Sequence, residues 1–342
     1  MELLPHETEA DHEAANQASW LMCGETGPVY LAPFAAYSDG SAAAGGLSPA
    51  WGQPDHPEIN LRPAEMAKLP AEEQRAIRLE RKRYSDERRL RFFAANGIIP
   101  NDVASLWLNR IRGIDIDVVD ADSLERQEPY AFAENGASMI YTKDPNRVLV
   151  LDVGDCAGVV GYGKREDGEE LLFILHVGWR DAEDDFVAQG LNFVRNKLEF
   201  DPARMHYVNG PSAFNMPYYR PNHPLDNDEL FANPAWEKHL RAIEPASNHG
   251  GYNFQIDLQG FILDEMAKHN ITRDHIFVDT SDTTRGDSGY SSHSRWANGR
   301  IDTPTRGLVV AMHPEYAAAA QKRADEYLRH TLGERVLASS MY

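Results

Sequence analysis

The sequence has little cysteine and no hydrophobic run long enough to span a membrane. Its two cysteines, Cys23 and Cys156, are too few for a disulfide scaffold and are consistent with a reducing compartment. The first residues also lack the basic and apolar parts of a secretory signal. Together these absences predict a cytoplasmic protein that has no membrane partner.

Positive charge is also scarce. The 34 basic residues stand against 53 acidic ones, which gives a formal net charge of -19. The chain therefore repels polyanions, and no nucleic-acid partner is expected. One stretch, between Pro63 and Gly97, is locally basic, but its arginines are interleaved with glutamates and no aromatic ladder accompanies them. This composition favours the solvated face of a helix over a nucleic-acid site.

The chain has 342 residues, of which 42% are hydrophobic, so it can bury a sizeable core. Residues 1–26 are acidic and contain no lysine or arginine, which predicts a mobile or loosely packed N-terminal extension. Residues 27–342 show neither an internal repeat nor a linker, and we interpret them as one domain.

The pattern of hydrophobic residues predicts a mixture of strands and helices. Strands are predicted at 29–34, 104–113, 114–119, 147–153, 157–162, 171–175, 205–208, 275–279 and 307–312. Helices are predicted within 63–97 with a break near Pro70, within 181–198, near 236–243, near 258–266 and within 315–332.

A predicted hairpin in the middle of the chain carries the residues best suited to chemistry. Opposed residues of a hairpin have numbers that add to a constant, so a turn centred on Glu166 sets Cys156 opposite His176, with Cβ atoms roughly 5 Å apart. The helix predicted to open at Asp181 directs its positive N-terminal end at this pair, which favours a thiolate or a bound anion. A buried cysteine is usually a packing residue, but these neighbours make Cys156 and His176 candidate catalytic residues.

Other polar residues are expected near this pair. The loop that ends at Ser212 carries exposed amides able to line a ligand pocket. Asp155 is expected to orient His176 or Arg180. The histidines without a located partner are expected to be hydrogen-bonded structural residues, and these are His206, His293 and His313.

Four motifs occur in an order that resembles a known family. They are Gly154-Asp155-Cys156, His176-Val177-Gly178-Trp179-Arg180-Asp181, Gly210-Pro211-Ser212, and Ser292-His293-Ser294-Arg295 followed by Gly299-Arg300. The YfiH-like family, also labelled multicopper polyphenol oxidase or laccase-domain proteins, has Ala-Asp-Cys, His-Ala-Gly-Trp-Arg-Gly, a Gly-Pro loop, and Ser-Tyr-Arg-Arg followed by Gly-Arg. The resemblance spans roughly residues 29–313.

The resemblance implies a fold and an activity. The fold would be a single α+β domain, a mixed β-sandwich flanked by helices, related to cysteine hydrolases such as the cytotoxic necrotizing factors. The activity would be phosphorolysis or deamination of purine nucleosides of the adenosine and inosine type, with a zinc ion held by two histidines and the cysteine. Another branch of the family is linked to editing of peptidoglycan precursors, in which a misincorporated amino acid is cleaved from a sugar nucleotide.

The sequence departs from the family at one of the implied zinc ligands. Where the family has its first histidine, in Gln-Val-His-Gly, this chain has Arg110-Ile111-Arg112-Gly113. An arginine has no lone pair to offer a metal, so Cys156 and His176 remain as two ligands, fewer than the three usual at a catalytic zinc. His293 is the candidate for a third ligand, with His206 as the alternative.

Three hypotheses about function follow. In the first, Cys156 and His176 process a purine nucleoside, and three arginines hold the anionic oxygens of phosphate: Arg112, Arg180 and Arg295. Ser212 and Arg300 are further substrate-binding residues. In the second, which needs no metal, Cys156 is a nucleophile activated by His176, Arg112 stabilises negative charge, and the reaction is hydrolysis of an amide or acyl bond, as in an aminoacyl sugar nucleotide. In the third, the fold binds a ligand and has lost its chemistry.

Copper chemistry of the laccase type is not expected. Multicopper sites need histidines at His-X-His spacing, and none of the 13 histidines forms such a pair.

Overall fold

The computed structural model describes residues 19–22, 29–32, 61, 63–66, 68–106, 116–125, 130–133, 137–212, 216–218, 234–242, 254–280, 283 and 307–339. The strands are β1 (Ser19–Met22), β2 (Val29–Ala32), β3 (Val103–Leu106), β4 (Val118–Asp120), β5 (Ala131–Ala133), β6 (Met139–Thr142), β7 (Val148–Val153), β8 (Ala157–Lys164), β9 (Glu170–Val177), β10 (His206–Asn209), β11 (Met216–Tyr218), β12 (Leu240–Ala242), β13 (Phe254–Ile256), β14 (Ile276–Val278) and β15 (Gly307–Met312). The helices are α1 (Pro63–Met66), α2 (Ala71–Ala95), α3 (Trp179–Glu183), α4 (Phe186–Asn196), α5 (Leu258–Lys268) and α6 (Pro314–Ser339).

The strands form two large sheets and one small one. The first sheet has the order β1-β2-β15-β7-β3-β5, the second β14-β10-β8-β9-β6-β4, and the small sheet β11-β13-β12. Both large sheets are mixed: β3 runs parallel to β7 while β15 runs antiparallel to it, and β10 is parallel to β14 but antiparallel to β8.

Successive side chains of a strand point to opposite faces of its sheet, and this assigns the residues of β7 to two different layers. In β7, Leu149 and Leu151 face the second sheet, where they join Val160 and Ile174 in the inter-sheet core. Val148 and Val150, on the opposite face of β7, pack with Phe92 and Phe93 of α2 and with residues of α6. The outer face of the second sheet packs against α4 and α5. The molecule is thus a four-layer α+β sandwich, which confirms the predicted mixed β-sandwich flanked by helices.

Several predicted elements differ from the structure. The helix predicted within 181–198 is broken into α3 and α4, because Asp185 adopts a left-handed conformation with φ of 58°. The helical piece predicted near 236–243 is wrong: it is a 3₁₀ turn at Pro234–Trp236 followed by β12, which pairs with β13. Strand β1 lies within the segment predicted as a loose extension and pairs with β2, so the first sheet begins before residue 26.

None of the helices in the described ranges is long and apolar enough to cross a membrane. The longest of them, α2 and α6, instead pack their buried residues on the outer face of the first sheet.

Gly97 ends α2 where this helix meets α6, and its φ is +64°. A Cβ added to it would lie 2.0 Å from the carbonyl oxygen of Ala320. We expect Gly97→Ala to lower the free energy of unfolding by about 2–4 kcal/mol, because it adds a backbone collision to left-handed strain. Gly168→Ala is the matched control: φ is +89° but nothing lies within 4 Å of the added Cβ, so we expect a loss of only about 1 kcal/mol. Urea denaturation measures both, and equal losses would contradict the packing argument.

A polar group lies at the end of the inter-sheet core where β15 stops and β9 starts. His313 is fully buried there, and its Nδ1 atom lies 3.0 Å from Glu170 Oε2. The ring meets Tyr162 edge to face, with ring centroids 5.8 Å apart. Burial lowers the pKa of His313, and the opposing attraction of Glu170, Asp122 and Asp144 does not outweigh it. His313 is thus a hydrogen-bonded structural residue, as expected from the sequence.

The depressed pKa of His313 makes the folded state less stable in mild acid. The unfolded chain takes up a proton at this histidine near pH 6.5 and the folded protein only at lower pH, so stability is greatest above that value and is lost as the pH falls through it, by up to about 1.4 kcal/mol per pH unit. We expect His313→Asn, which keeps a donor for Glu170, to make the urea midpoint less dependent on pH between about 7 and 5. Comparison at about pH 8, where both side chains are uncharged, isolates the effect of the substitution itself. The prediction fails if variant and wild type lose stability in parallel.

Candidate functional site

The hairpin of β8 and β9 places the candidate thiol and imidazole. Lys164 pairs with Glu170, and Gly158 rather than Cys156 pairs with His176. The turn is centred one residue later than predicted, because Gly168, with φ of +89°, closes it through its N–H, which lies 3.0 Å from the carbonyl of Arg165. The predicted register was therefore wrong by two residues. An even shift keeps the same face of the sheet, so Cys156 and His176 become diagonal neighbours.

Gly178 brings this diagonal pair together. A Cβ added to it would lie 3.0 Å from Cys156 Sγ and 3.7 Å from His176 Cε1. Any larger residue would occupy the space in which the sulfur approaches the ring. The close approach of Cys156 and His176, predicted from the hairpin, is therefore confirmed, although by a different register.

Asp181 completes the group. Its Oδ2 atom lies 2.9 Å from His176 Nδ1 and accepts a hydrogen bond from the Gly178 N–H at 2.7 Å. Both side chains are almost wholly buried, with exposures of 8% for His176 and 4% for Asp181. The sequence reasoning missed this role and treated Asp181 only as the start of a helix. The available signal was its position directly after His-X-Gly-Trp-Arg, where the resembling family has glycine.

The electrostatics favour a charged imidazole. Burial disfavours the protonated ring, but attraction to Cys156 and Asp181, with hydrogen bonds to both, outweighs burial and raises the pKa of His176 to about 9. The arrangement thus pairs an imidazolium with a sulfur nucleophile on one side and an orienting carboxylate on the other.

Asp155, which directly precedes Cys156 in the chain, is joined to Ser212 by Thr283. The Thr283 hydroxyl donates to Asp155 Oδ1 at 3.0 Å, and the Thr283 N–H donates to the Ser212 carbonyl at 3.1 Å. The carboxylate that binds His176 Nδ1 is therefore Asp181 and not Asp155, which corrects one of the two roles expected for Asp155.

The predicted arginines fall largely outside the described residues. Arg112, Arg295 and Arg300 lie there, and so does His293. For Arg180 the structure describes the main chain, which belongs to α3 directly after Gly178 and Trp179, but not the side chain. Their roles in binding substrate remain predictions.

His206 is not part of the site. It pairs with Tyr162, six residues along β8 from Cys156, which is roughly 20 Å at the rise of a strand. Its ring stacks on His275 with centroids 5.0 Å apart and an interplanar angle of 6°. The suggestion that His206 supplies a third zinc ligand is therefore wrong, because the topology places it at the other end of the sandwich.

The described residues do not complete a zinc site. Within that part of the chain no group of three His, Cys, Asp or Glu side chains has the geometry to hold a metal ion. Cys156 and His176 are two donors, and a catalytic zinc takes three from the protein. A metal here would need a donor from the segments outside the described ranges.

The fold and the site together define a class: a four-layer α+β sandwich with a partly exposed cysteine beside a buried histidine–aspartate pair at one end of the inter-sheet core. The family model described as "Multi-copper polyphenol oxidoreductase laccase" matches residues 81–304, and the chain belongs to this family. The relationship inferred from the motif order is thereby confirmed.

Solved structures of low sequence identity are similar to this chain. Protein YfiH of Bacillus licheniformis is 19% identical, with 63% of this chain and 75% of that one covered and a TM-score of 0.47. YlmD of Geobacillus stearothermophilus is 17% identical, with 70% and 81% covered and a TM-score of 0.48. A Neisseria meningitidis protein of the DUF152 family is 13% identical, with 86% and 97% covered and a TM-score of 0.46. No curated protein matches the chain.

Proposed function

We propose that this protein is a cysteine-dependent hydrolase that cleaves an amide or a related acyl bond in a small-molecule substrate. The observation that carries the proposal is the contact of Cys156 with His176, whose Nδ1 atom is held 2.9 Å from Asp181 Oδ2. A nucleophile, a proton-transfer group and an orienting carboxylate in this order are the parts that covalent catalysis needs.

The proposed reaction has two halves. The Cys156 thiolate attacks the acyl carbon and forms a carbon–sulfur bond; the carbon–nitrogen bond breaks, its electron pair stays on nitrogen, and His176 supplies the proton. Water then attacks the thioester and gives a proton to His176, the carbon–sulfur bond breaks, and the acid leaves while the thiolate is restored. Asp181 keeps the ring oriented through Nδ1 in both halves.

The arginines would serve the substrate in this scheme. Arg112 is proposed to stabilise charge on the acyl oxygen or the thiolate. Arg180, Arg295 and Arg300 are proposed to hold anionic groups, such as the phosphates of an aminoacyl sugar nucleotide, since guanidinium groups offer paired donors.

A second candidate is phosphorolysis or deamination of an adenosine- or inosine-type nucleoside. The way Asp181 holds His176 favours it, because a carboxylate bonded to one ring nitrogen is also the usual support of a zinc-bound histidine. It requires a third metal donor beyond Cys156 and His176, for which His293 remains the prediction.

One experiment separates these functions. The full chain is purified without added metal, its metal content is measured, and it is assayed with p-nitrophenyl acetate and, separately, with inosine or adenosine plus phosphate, each with and without EDTA. The hydrolase proposal predicts a burst of 4-nitrophenolate and an acetyl thioester at Cys156, both indifferent to EDTA. Nucleoside turnover that EDTA abolishes would support the second candidate. If neither substrate reacts and Cys156 is not acylated, the fold has kept only a binding role.

A further inference from the structure

Ser212 is a buried polar residue whose hydroxyl has no hydrogen-bond partner among the residues that the structure describes. Its exposed fraction is 0%, and within those ranges the Oγ atom meets no donor or acceptor. A buried polar atom without a partner destabilises the folded state, so its presence in a native structure needs an explanation, such as a functional role. The hydroxyl can donate one hydrogen bond and accept others, and all of these are unused.

The strand register places Ser212 beside the nucleophile. In the pairing of β8 with β10, Asn209 lies opposite Val159. The ladder continues beyond the strand, since the Gly210 N–H donates to the Gly158 carbonyl at 3.2 Å. Extrapolated two residues beyond this last hydrogen bond, past the ends of both strands, the register places Ser212 level with Cys156. The register of β8 with β9 sets Gly178 opposite Cys156 on its other side, so Cys156 is flanked by Ser212 and by Gly178, which approaches His176.

The alternation of side chains along β10 and the hydrogen bonds of Thr283 support this placement. Val208 faces the inter-sheet core, and residues an even number apart on an extended chain share a face, so Ser212 belongs to the face that carries Cys156 and His176. Thr283 fixes the position, because its N–H donates to the Ser212 carbonyl and its hydroxyl donates to Asp155, the residue before the nucleophile.

We infer that the Ser212 hydroxyl donates a hydrogen bond to the acyl oxygen of the substrate while Cys156 attacks. This inference rests on the proposed hydrolase function. When the carbon–sulfur bond forms, the π electron pair of the carbonyl moves onto oxygen, and a donor already fixed at that point stabilises the new charge. When the pair returns and the bond to the leaving group breaks, the hydrogen bond weakens and the hydroxyl keeps its proton. His176, oriented by Asp181, transfers the proton from the other side of the sulfur.

The test uses p-nitrophenyl acetate with the full chain. Ser212→Ala removes one oxygen atom, and loss of one oxyanion donor is expected to lower kcat about 100- to 1000-fold with a much smaller change in KM. The rate at which iodoacetamide alkylates Cys156 should stay within about twofold of wild type, because the thiol and imidazole are untouched. The melting temperature should be unchanged or higher, because the variant loses a buried group without a partner.

Two further comparisons keep the test sharp. Asn209→Ala is a matched control, because both side-chain polar atoms of Asn209 are also buried without partners among the described residues, while its odd position puts it on the opposite face of β10. Its kcat should match wild type. Threonine and valine have the same shape, but valine carries a methyl group where threonine carries its hydroxyl. Ser212→Thr should therefore turn over substrate faster than Ser212→Val, even if both variants pack less well than the wild-type serine.

The outcomes distinguish this inference from the function on which it rests. If wild type shows the burst and Ser212→Ala keeps kcat within about twofold, the inference is overturned and the hydrolase proposal stands. Equal rates for the threonine and valine variants would overturn it as well. If wild type forms no acetyl thioester at Cys156, the hydrolase proposal itself fails and Ser212 loses the role with it.

Discussion

Cys156→Ala is expected to abolish turnover, with a fall in kcat of at least about 10⁴-fold, because it removes the thiol that forms the proposed covalent intermediate. The loss should follow from chemistry and not from unfolding. Cys156 is partly exposed at the start of β8, and alanine keeps its Cβ atom. We therefore expect the circular dichroism spectrum to be retained and the stability to change by no more than about 1 kcal/mol.

The control for this substitution is the other cysteine. Cys23→Ala should keep wild-type turnover and should leave the iodoacetamide adduct at Cys156, as located by peptide mass spectrometry. Cys156→Ser tests whether sulfur is required, and turnover should also be lost, since a hydroxyl is a far weaker nucleophile than a thiolate in the same place. If Cys156→Ala turned over substrate at an appreciable rate, covalent catalysis at this position would be excluded.

Cys156 and His176 show most clearly which features of the site the sequence could predict. The period of two in strands and the symmetry of a hairpin were enough to put both side chains on one face near each other. They were not enough to set the register, because the turn is decided by the positive φ at Gly168, and a glycine-containing turn can close at more than one length.

The role of Asp181 could not be predicted from periodicity. Its carboxylate reaches His176 because α3 begins at Trp179, which places Asp181 in the first turn beside the Gly178 N–H. The helix α3 then ends at Glu183, and α4 begins after a turn at Asp185. The sequence pattern joined these pieces into one helix, because the acidic stretch 181–185 is typical of a helix start and directly precedes the helical spacing of apolar residues that begins at Val187. Such a break depends on which backbone groups find partners locally, as when Gln189 Nε2 donates to the Asp184 carbonyl.

Family membership and geometry contribute differently to the proposed function. The family model identifies the relatives of the chain, but the family is described by copper chemistry. A multicopper site needs His-X-His pairs, and this sequence lacks them. The case for a nucleophilic cysteine comes from three side chains and one glycine in contact. Function is therefore best argued from this group and tested there.

Asp181→Asn is expected to have the second largest effect on activity. The Asn oxygen can still accept from the Gly178 N–H, but the amide then presents an N–H group to His176 Nδ1, which must become an acceptor, and the ring is held in the wrong tautomer. The corresponding change in serine hydrolases lowers kcat about 10⁴-fold with the geometry kept. We expect a loss of about 10³- to 10⁴-fold here.

The same substitution should change the titration of His176. Attraction to Cys156 and Asp181, with hydrogen bonds to both, outweighs burial and raises the pKa of His176 to about 9. Removal of the Asp181 carboxylate should therefore lower this pKa and reduce the charged fraction of the ring at neutral pH. The Cε1 proton of His176 in NMR titrations reports this directly, and the alkaline limb of the rate profile should move to lower pH in parallel. Asp184→Asn, which removes the same charge three residues further on, should leave both unchanged. If Asp181→Asn left the titration of His176 in place while activity fell, the carboxylate would act on the substrate and not through the imidazole.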